Sequence, residues 1–300
     1  MAKQDCHYLF LRYQGVLRDE KIEDKAFNLL QEVLIIKNKD DNFENGLAGI
    51  GYTLLYLIEN KLLEADFDEI FGEQYEALIK NLENIEKEPL RLVNSLRIIY
   101  FLSKVGNIKR EDDRLPKIIK KIFEGLELFL TIQFHDFADI RYVNDKSAVL
   151  NIYESYLKLI DYSGYIYFSN ALLADYSDLY RKGRVASSLI VGLYLNRLVK
   201  KYKIKKYKDI VEDNIRNGIK NIYTDALSLK ERIDLIKLIY DNEKSEIIDY
   251  EHVPDLEITK KEATMQNLLK LIDKNFSPIG YEAGLGRLLL FHANKHTEIL

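Results

Sequence analysis

Side chains able to do chemistry are few in this chain of 300 residues, and the densest group of them runs from His135 to Lys146. It begins with His135-Asp136, an imidazole beside a carboxylate, which suits general acid/base work or the holding of a peptide. It ends in Asn144-Asp145-Lys146, where either short polar side chain suits the cap of a following helix. Further candidates sit in comparable positions elsewhere: Glu44 with Asn45, Arg184, and Tyr281 with Glu282. Arg184 has the forked guanidinium that grips a carboxylate or phosphate through two hydrogen bonds. Glu44 and Glu282, set across a common mouth at about 5 to 10 Å, would form the carboxylate pair of a glycoside hydrolase. The expected catalytic candidates are therefore His135, Asp136 and Glu282. The expected substrate-binding residues are Glu44, Asn45, Asn144, Arg184 and Tyr281.

Metal chemistry finds little material. The one cysteine, Cys6, can form neither an internal disulfide nor a Cys-based zinc site. His292 and His296 stand four apart and share a helical face, but no third ligand accompanies them with confidence of spacing. No metal and no cofactor is expected. The run Lys200-Lys201-Tyr202-Lys203-Ile204-Lys205-Lys206-Tyr207-Lys208 is basic with interleaved tyrosines, a pattern open to nucleic acid or to an acidic partner. With 44 Lys+Arg against 48 Asp+Glu, the net charge of −4 argues against a nucleic-acid protein and for a solvated turn, with an acidic leader peptide as the partner to consider. No apolar run is long enough to span a membrane, and Met1–His7 lacks the apolar core of a signal peptide, so a cytoplasmic protein is expected.

The elements that must position these residues read as helices. Only four prolines and fourteen glycines interrupt a chain dominated by Lys, Leu, Ile, Glu, Asp and Asn. Apolar residues recur at helical spacing, as at Ala26, Phe27, Leu29, Leu30, Val33, Leu34 and Ile36. Strand-like stretches are short and rare, and the best of them, Tyr165-Ile166-Tyr167-Phe168, lies in a segment expected to continue as a helix to Tyr180. Six segments begin with a small or polar residue leading into an apolar helix. Gly49, Ser95, Ala148, Ser187, Asp234 and Gly284 mark their starts, about 47 residues apart on average. That step fits two helices and two turns. Partner helices are expected at 24–37, 71–85, 116–133, 165–181, 206–223 and 260–274. The mixed-character helices would form an outer layer and the apolar ones an inner layer. Residues 1–300 are thus expected to form one all-α domain, an α/α toroid of about six helical hairpins. An open superhelical stack of the same hairpins is the alternative. Closure is favoured because the first and last copies, Ala48-Gly49-Ile50-Gly51 and Ala283-Gly284-Leu285-Gly286, are the most alike. The glycines are expected where backbones approach closely at converging helix ends.

The segment Asn45-Gly46-Leu47-Ala48-Gly49-Ile50-Gly51-Tyr52-Thr53-Leu54-Leu55-Tyr56-Leu57 resembles the lanthionine synthetase C (LanC) family. Glu282–Leu290 is similar to that family's recurring Gly motif in degenerate form. The resemblance implies a double-layered α/α toroid and a place in the biosynthesis of ribosomally made, lanthipeptide-type peptides. LanC cyclases hold zinc with two cysteines and a histidine, one cysteine directly preceding the histidine, and use it to activate a substrate thiol. This chain has no Cys-His pair, and Asn45 stands where the family motif carries His before Gly. The resemblance therefore implies a degenerate member that binds a precursor peptide or a partner peptide-modifying enzyme. Two other readings stay open: a toroid enzyme using cavity carboxylates on a carbohydrate, and an unorthodox lanthionine cyclase. The absence of Trp, a common sugar-stacking platform, weighs against the first, although Tyr can stack.

Overall fold

Apolar spacing at i, i+3 and i+4 governs what forms. The computed structural model describes residues 40–43, 46–84, 96–138 and 146–221, with Asn28, Gln31, Glu32, Leu235, Leu238, Ile239 and Asn242 besides. Among the described residues there are eight α-helices and one 3-10 turn, and no strand. The helices are α1 (Leu47–Glu59), α2 (Phe67–Glu83), α3 (Ile98–Val105), α4 (Arg114–Ala138), α5 (Lys146–Ser163), α6 (Asn170–Arg181), α7 (Leu189–Lys201) and α8 (Lys208–Asn221), with the 3-10 turn at Lys205–Tyr207. None of them is long and apolar enough to cross a membrane.

The helices differ in how much of their surface they bury. α1 buries Ala48, Gly49, Ile50, Gly51, Leu54, Leu55, Tyr56 and Leu57, and α7 buries eight of its thirteen residues. α4 buries a single stripe instead: Leu115, Ile118, Ile122, Leu126, Leu130, Phe134 and Phe137. The described helix starts agree with the repeat. Gly49 and Ala148 fall in the first turns of α1 and α5, and Ser187 directly precedes Ser188, whose hydroxyl caps α7 by accepting from Val191 N at 3.3 Å. Ser95, Asp234 and Gly284 lie outside the described residues, as do the expected partner helix at 260–274 and His292 and His296.

The chain packs as two compact units, residues 1–80 with 223–237 and 254–300, and residues 81–222 with 238–253. In the first unit the turn at 40–43 lies over the start of α1. Leu47 N donates to Asp40 O at 2.9 Å, and Phe43 meets Tyr52 edge to face at 5.3 Å. A Cβ at Gly46 would strike Asp40 O, and one at Gly49 would strike Phe43 O. The close approach expected of these glycines is present, and its cause is the immediately preceding chain. In the second unit α3, α5 and α7 touch in series, α4 lies along α6 and against α3 and α5, and α8 packs on α7. α3, α5 and α7 thus form one row, with α4 and α6 beside it.

Two local readings change. Tyr165–Ser169 is an extended connection and not the start of a helix. Gly164, at φ +67°, ends α5, and the Ser169 hydroxyl caps α6 by accepting from Leu172 N at 3.1 Å. Tyr165 and Phe168 turn inward, while Ile166 and Tyr167 face out. α4 in turn runs beyond Gln133, because Phe134 and Phe137 continue its buried stripe.

Candidate functional site

His135 and Asp136 lie in the last turn of α4, where a rim loop was expected. Consecutive helical residues do not face each other, so the pair cannot act together. His135 is exposed, and Asp175 of α6 feels its charge. Burial raises the Asp175 carboxyl above its usual range; the Asp178 charge adds to this and His135 offsets it. Arg184 follows α6. Its N–H closes the helix end on Leu179 O at 2.9 Å, its carbonyl accepts from Lys146 Nζ at 3.5 Å, and its Nε is buried with no hydrogen-bond partner among the described residues. Glu44, Asn45, Asn144, Tyr281 and Glu282 lie outside the described residues. Of the expected site residues, the structure thus describes His135, Asp136 and Arg184, and it pairs none of them with another.

The polar groups drawn together in the second unit are different ones. Glu127 of α4 accepts the Tyr156 hydroxyl of α5 at 2.6 Å and the Ser169 N–H at 2.9 Å, both on Oε1. Burial pushes the Glu127 carboxyl up, and these two donors pull it back. Burial, then the charge of Glu127, pushes the Tyr156 hydroxyl far above its ordinary range. Tyr165, stacked on Phe123 at 4.3 Å, is pushed up to about 12 by burial and by the nearby Glu127 and Glu124 charges. A second cluster repeats the device. Asn214 Oδ1 accepts the Tyr176 hydroxyl at 3.0 Å and the Ser188 N–H at 3.2 Å, while its Nδ2 donates to Ile210 O at 2.9 Å. In a third, Asn196 donates to Asn242 at 2.9 Å, and Asn242 donates to Leu238 O at 2.6 Å. The first two clusters tie the N-cap residue of a helix to a polar side chain on a neighbouring helix. No spacing signal marks them, since the bonds that join one element to another link residues 13 to 42 apart in sequence.

At the surface the connection 165–169 meets the lysine-rich turn that follows α7. The Tyr202 hydroxyl donates to Tyr165 O at 3.2 Å, the Tyr207 hydroxyl donates to Asn170 O at 3.1 Å, and the Phe168 and Tyr202 rings lie 4.9 Å apart. The tyrosines of the basic run thus face inward as anchors, and Lys200, Lys201, Lys203, Lys205, Lys206 and Lys208 face solvent. Lys208 pairs with Glu212 at 3.5 Å and Lys201 donates to Asp161 O at 3.2 Å. Among the described residues no carboxylate pairs with Lys200, Lys203, Lys205 or Lys206. No group of His, Cys, Asp or Glu among the described residues is arranged to hold a metal ion. Comparison with protein-family models, with curated proteins and with solved structures finds no match to this chain.

Proposed function

We propose that this chain is a LanC-like protein of ribosomal-peptide biosynthesis, a zinc-free member that binds a precursor peptide or a partner peptide-modifying enzyme in the cytoplasm. The observation that carries the reading is where the polar groups are engaged. Inside the second unit, Glu127, Asn214 and Asn196 are occupied in fastening helix to helix. Cations and rings remain open at the surface, which is the equipment of a binding protein. The series α3, α5, α7 with α4 and α6 packed beside it is consistent with successive hairpins, and their closure into a toroid is part of the proposal. A lone cysteine cannot build the family's two-cysteine zinc site within one chain.

The test pairs two measurements on the full chain. Elemental analysis after chelator-free purification is expected to find zinc well below one equivalent. Calorimetric titration with synthetic precursor peptides, carrying a leader and a Ser/Thr/Cys core, is expected to show saturable binding. One equivalent of zinc together with thioether formation on a dehydrated core would overturn the reading. A second reading is acid/base catalysis by His135, whose charge acts on the raised Asp175 carboxyl. It would require a His135→Ala variant to lose turnover of a substrate.

A further inference from the structure

We infer that the surface formed by the lysine turn 200–208 and the exposed pair Ile166-Tyr167 docks an acidic peptide segment with an apolar side chain; this rests on the peptide-binding reading and names its place and partner. Ile166 and Tyr167 are 60% and 69% exposed, although the residues on either side of them, Tyr165 and Phe168, are buried. They are held out on a backbone that is tied down at Tyr165 O by Tyr202 and at Asn170 O by Tyr207. Lys120 of α4 reaches to 6.0 Å from the Tyr167 ring, and the lysine turn abuts the same connection. The apolar pair is therefore flanked by Lys120, which also pairs with Glu124 at 3.6 Å, and it sits on the connection that the lysine turn abuts; four lysines of that turn have no carboxylate partner among the described residues. A cluster of lysines without carboxylate partners among the described residues, on a chain of net charge −4, selects an anionic partner locally.

The distribution of charge favours a short acidic peptide over a nucleic acid. The turn carries lysine and no arginine, which forgoes bidentate phosphate contacts. Asp209 and Asp213 lie exposed in the first turns of α8, immediately after the lysines, and would repel a continuous polyanion. One exposed ring offers no ladder for successive bases, whereas Ile166 and Tyr167 together suit an aliphatic or aromatic side chain. Lys203 adds a separate handle. It sits at φ +57°, in the left-handed position that closes α7, where glycine is the unstrained choice.

The experiment measures fluorescence anisotropy of a labelled synthetic peptide of alternating Glu and Leu, titrated with the full chain at low and physiological salt. Saturable binding that weakens with salt is expected. The quadruple variant Lys200→Gln, Lys203→Gln, Lys205→Gln, Lys206→Gln is expected to weaken it about tenfold or more, and Ile166→Ser with Tyr167→Ser several-fold. Lys203→Gly separates binding from folding, because it should unfold at a higher temperature and yet bind less tightly. Binding indifferent to all these changes would overturn the assignment of the surface and leave peptide binding standing. So would a precursor peptide that binds where the Glu–Leu peptide does not. Lysine-dependent binding of oligodeoxythymidine tighter than that of the peptide would replace the acidic peptide by a nucleic acid. Failure of every peptide would overturn this inference and the reading on which it rests.

Discussion

The Glu127 carboxylate lies 2.6 Å from the Tyr156 hydroxyl and, through the same oxygen, 2.9 Å from the N–H of Ser169. One side chain of α4 thereby fixes α5 and the first residue of the α6 cap. Removing the acceptor leaves two donors without it, so Glu127→Ala should cost about 1–3 kcal/mol in urea unfolding.

The charge of Glu127 gives a second expectation with a definite sign. Burial raises its folded pKa above the unfolded value. Below the unfolded carboxylate range the group is protonated in both states, and its contribution is fully present. As pH rises from there through the raised folded value, the folded state holds the extra proton and stability falls. Glu127→Gln keeps an acceptor and removes the titration. Its stability relative to wild type should therefore increase from about pH 4 to neutrality, where carboxylates ionise. A difference that shrinks with pH would show that the Tyr156 and Ser169 donors outweigh burial.

Gly218 is a point of close approach between α8 and the start of α7. A Cβ there would lie 2.5 Å from Leu189 N and 2.6 Å from Leu189 Cα, and one at Gly192 would lie 2.9 Å from Ile215 N. These obstacles are backbone atoms, which cannot rotate away. Gly218→Ala gains about 1 kcal/mol of helix propensity. The forced separation of the two helices should outweigh this, for a net loss of about 1–3 kcal/mol in thermal unfolding. Gly72, whose nearest atom to an added Cβ is 3.9 Å away, serves as the control. There the same substitution should stabilise.

Lys61 and Lys203 close α1 and α7 with left-handed backbones at φ +56° and +57°, and Gly183 closes α6 at +65°. In each the following N–H reaches back to a carbonyl of the last turn: Leu62 to Leu57, Arg184 to Leu179 and Ile204 to Val199. A lysine in this conformation is strained, and glycine costs more to order. Lys61→Gly should therefore raise stability by about 0.5–1 kcal/mol. Equilibrium unfolding against wild type decides this, and a loss would mean that the lysine stem packs more than it strains.

The helical rhythm was legible because burial repeats along single helices, as at Leu115, Ile118, Ile122 and Leu126. The connection at 165–169 was not, although its stop and start were written in Gly164 and Ser169. Apolar Tyr165 and Phe168 simulate a helical face until the left-handed glycine is known. His135-Asp136 was legible as a polar pair. Its direction was not, because α4 continues past it and turns the two residues apart. Glu127, Tyr156 and Ser169 carry no local signal at all, since their meeting depends on how three helices pack. The basic run was visible from its lysines, but that its tyrosines are inward anchors follows only from the carbonyls they reach.

Tyr153 places a hydroxyl where nothing receives it. The residue is wholly buried on α5, stacked on Tyr176 at 4.8 Å and met edge-on by Phe134 at 5.2 Å, and its Oη has no hydrogen-bond partner among the described residues. Burial, with smaller contributions from Tyr176 and Tyr207, pushes that hydroxyl well above its ordinary range. A desolvated donor without an acceptor is a standing cost of about 1–3 kcal/mol. Tyr153→Phe keeps the ring, its stacking and almost all of its volume while removing only the oxygen. It should therefore stabilise the protein by about 1 kcal/mol, read as a higher urea midpoint at unchanged slope. Tyr156→Phe is the counterpart, because that hydroxyl donates to Glu127, and it should destabilise by a similar amount. Two tyrosines one helical turn apart, changed in the same way, are thus expected to move stability in opposite directions. A loss of stability in both variants would mean that the Tyr153 hydroxyl has an acceptor in solution.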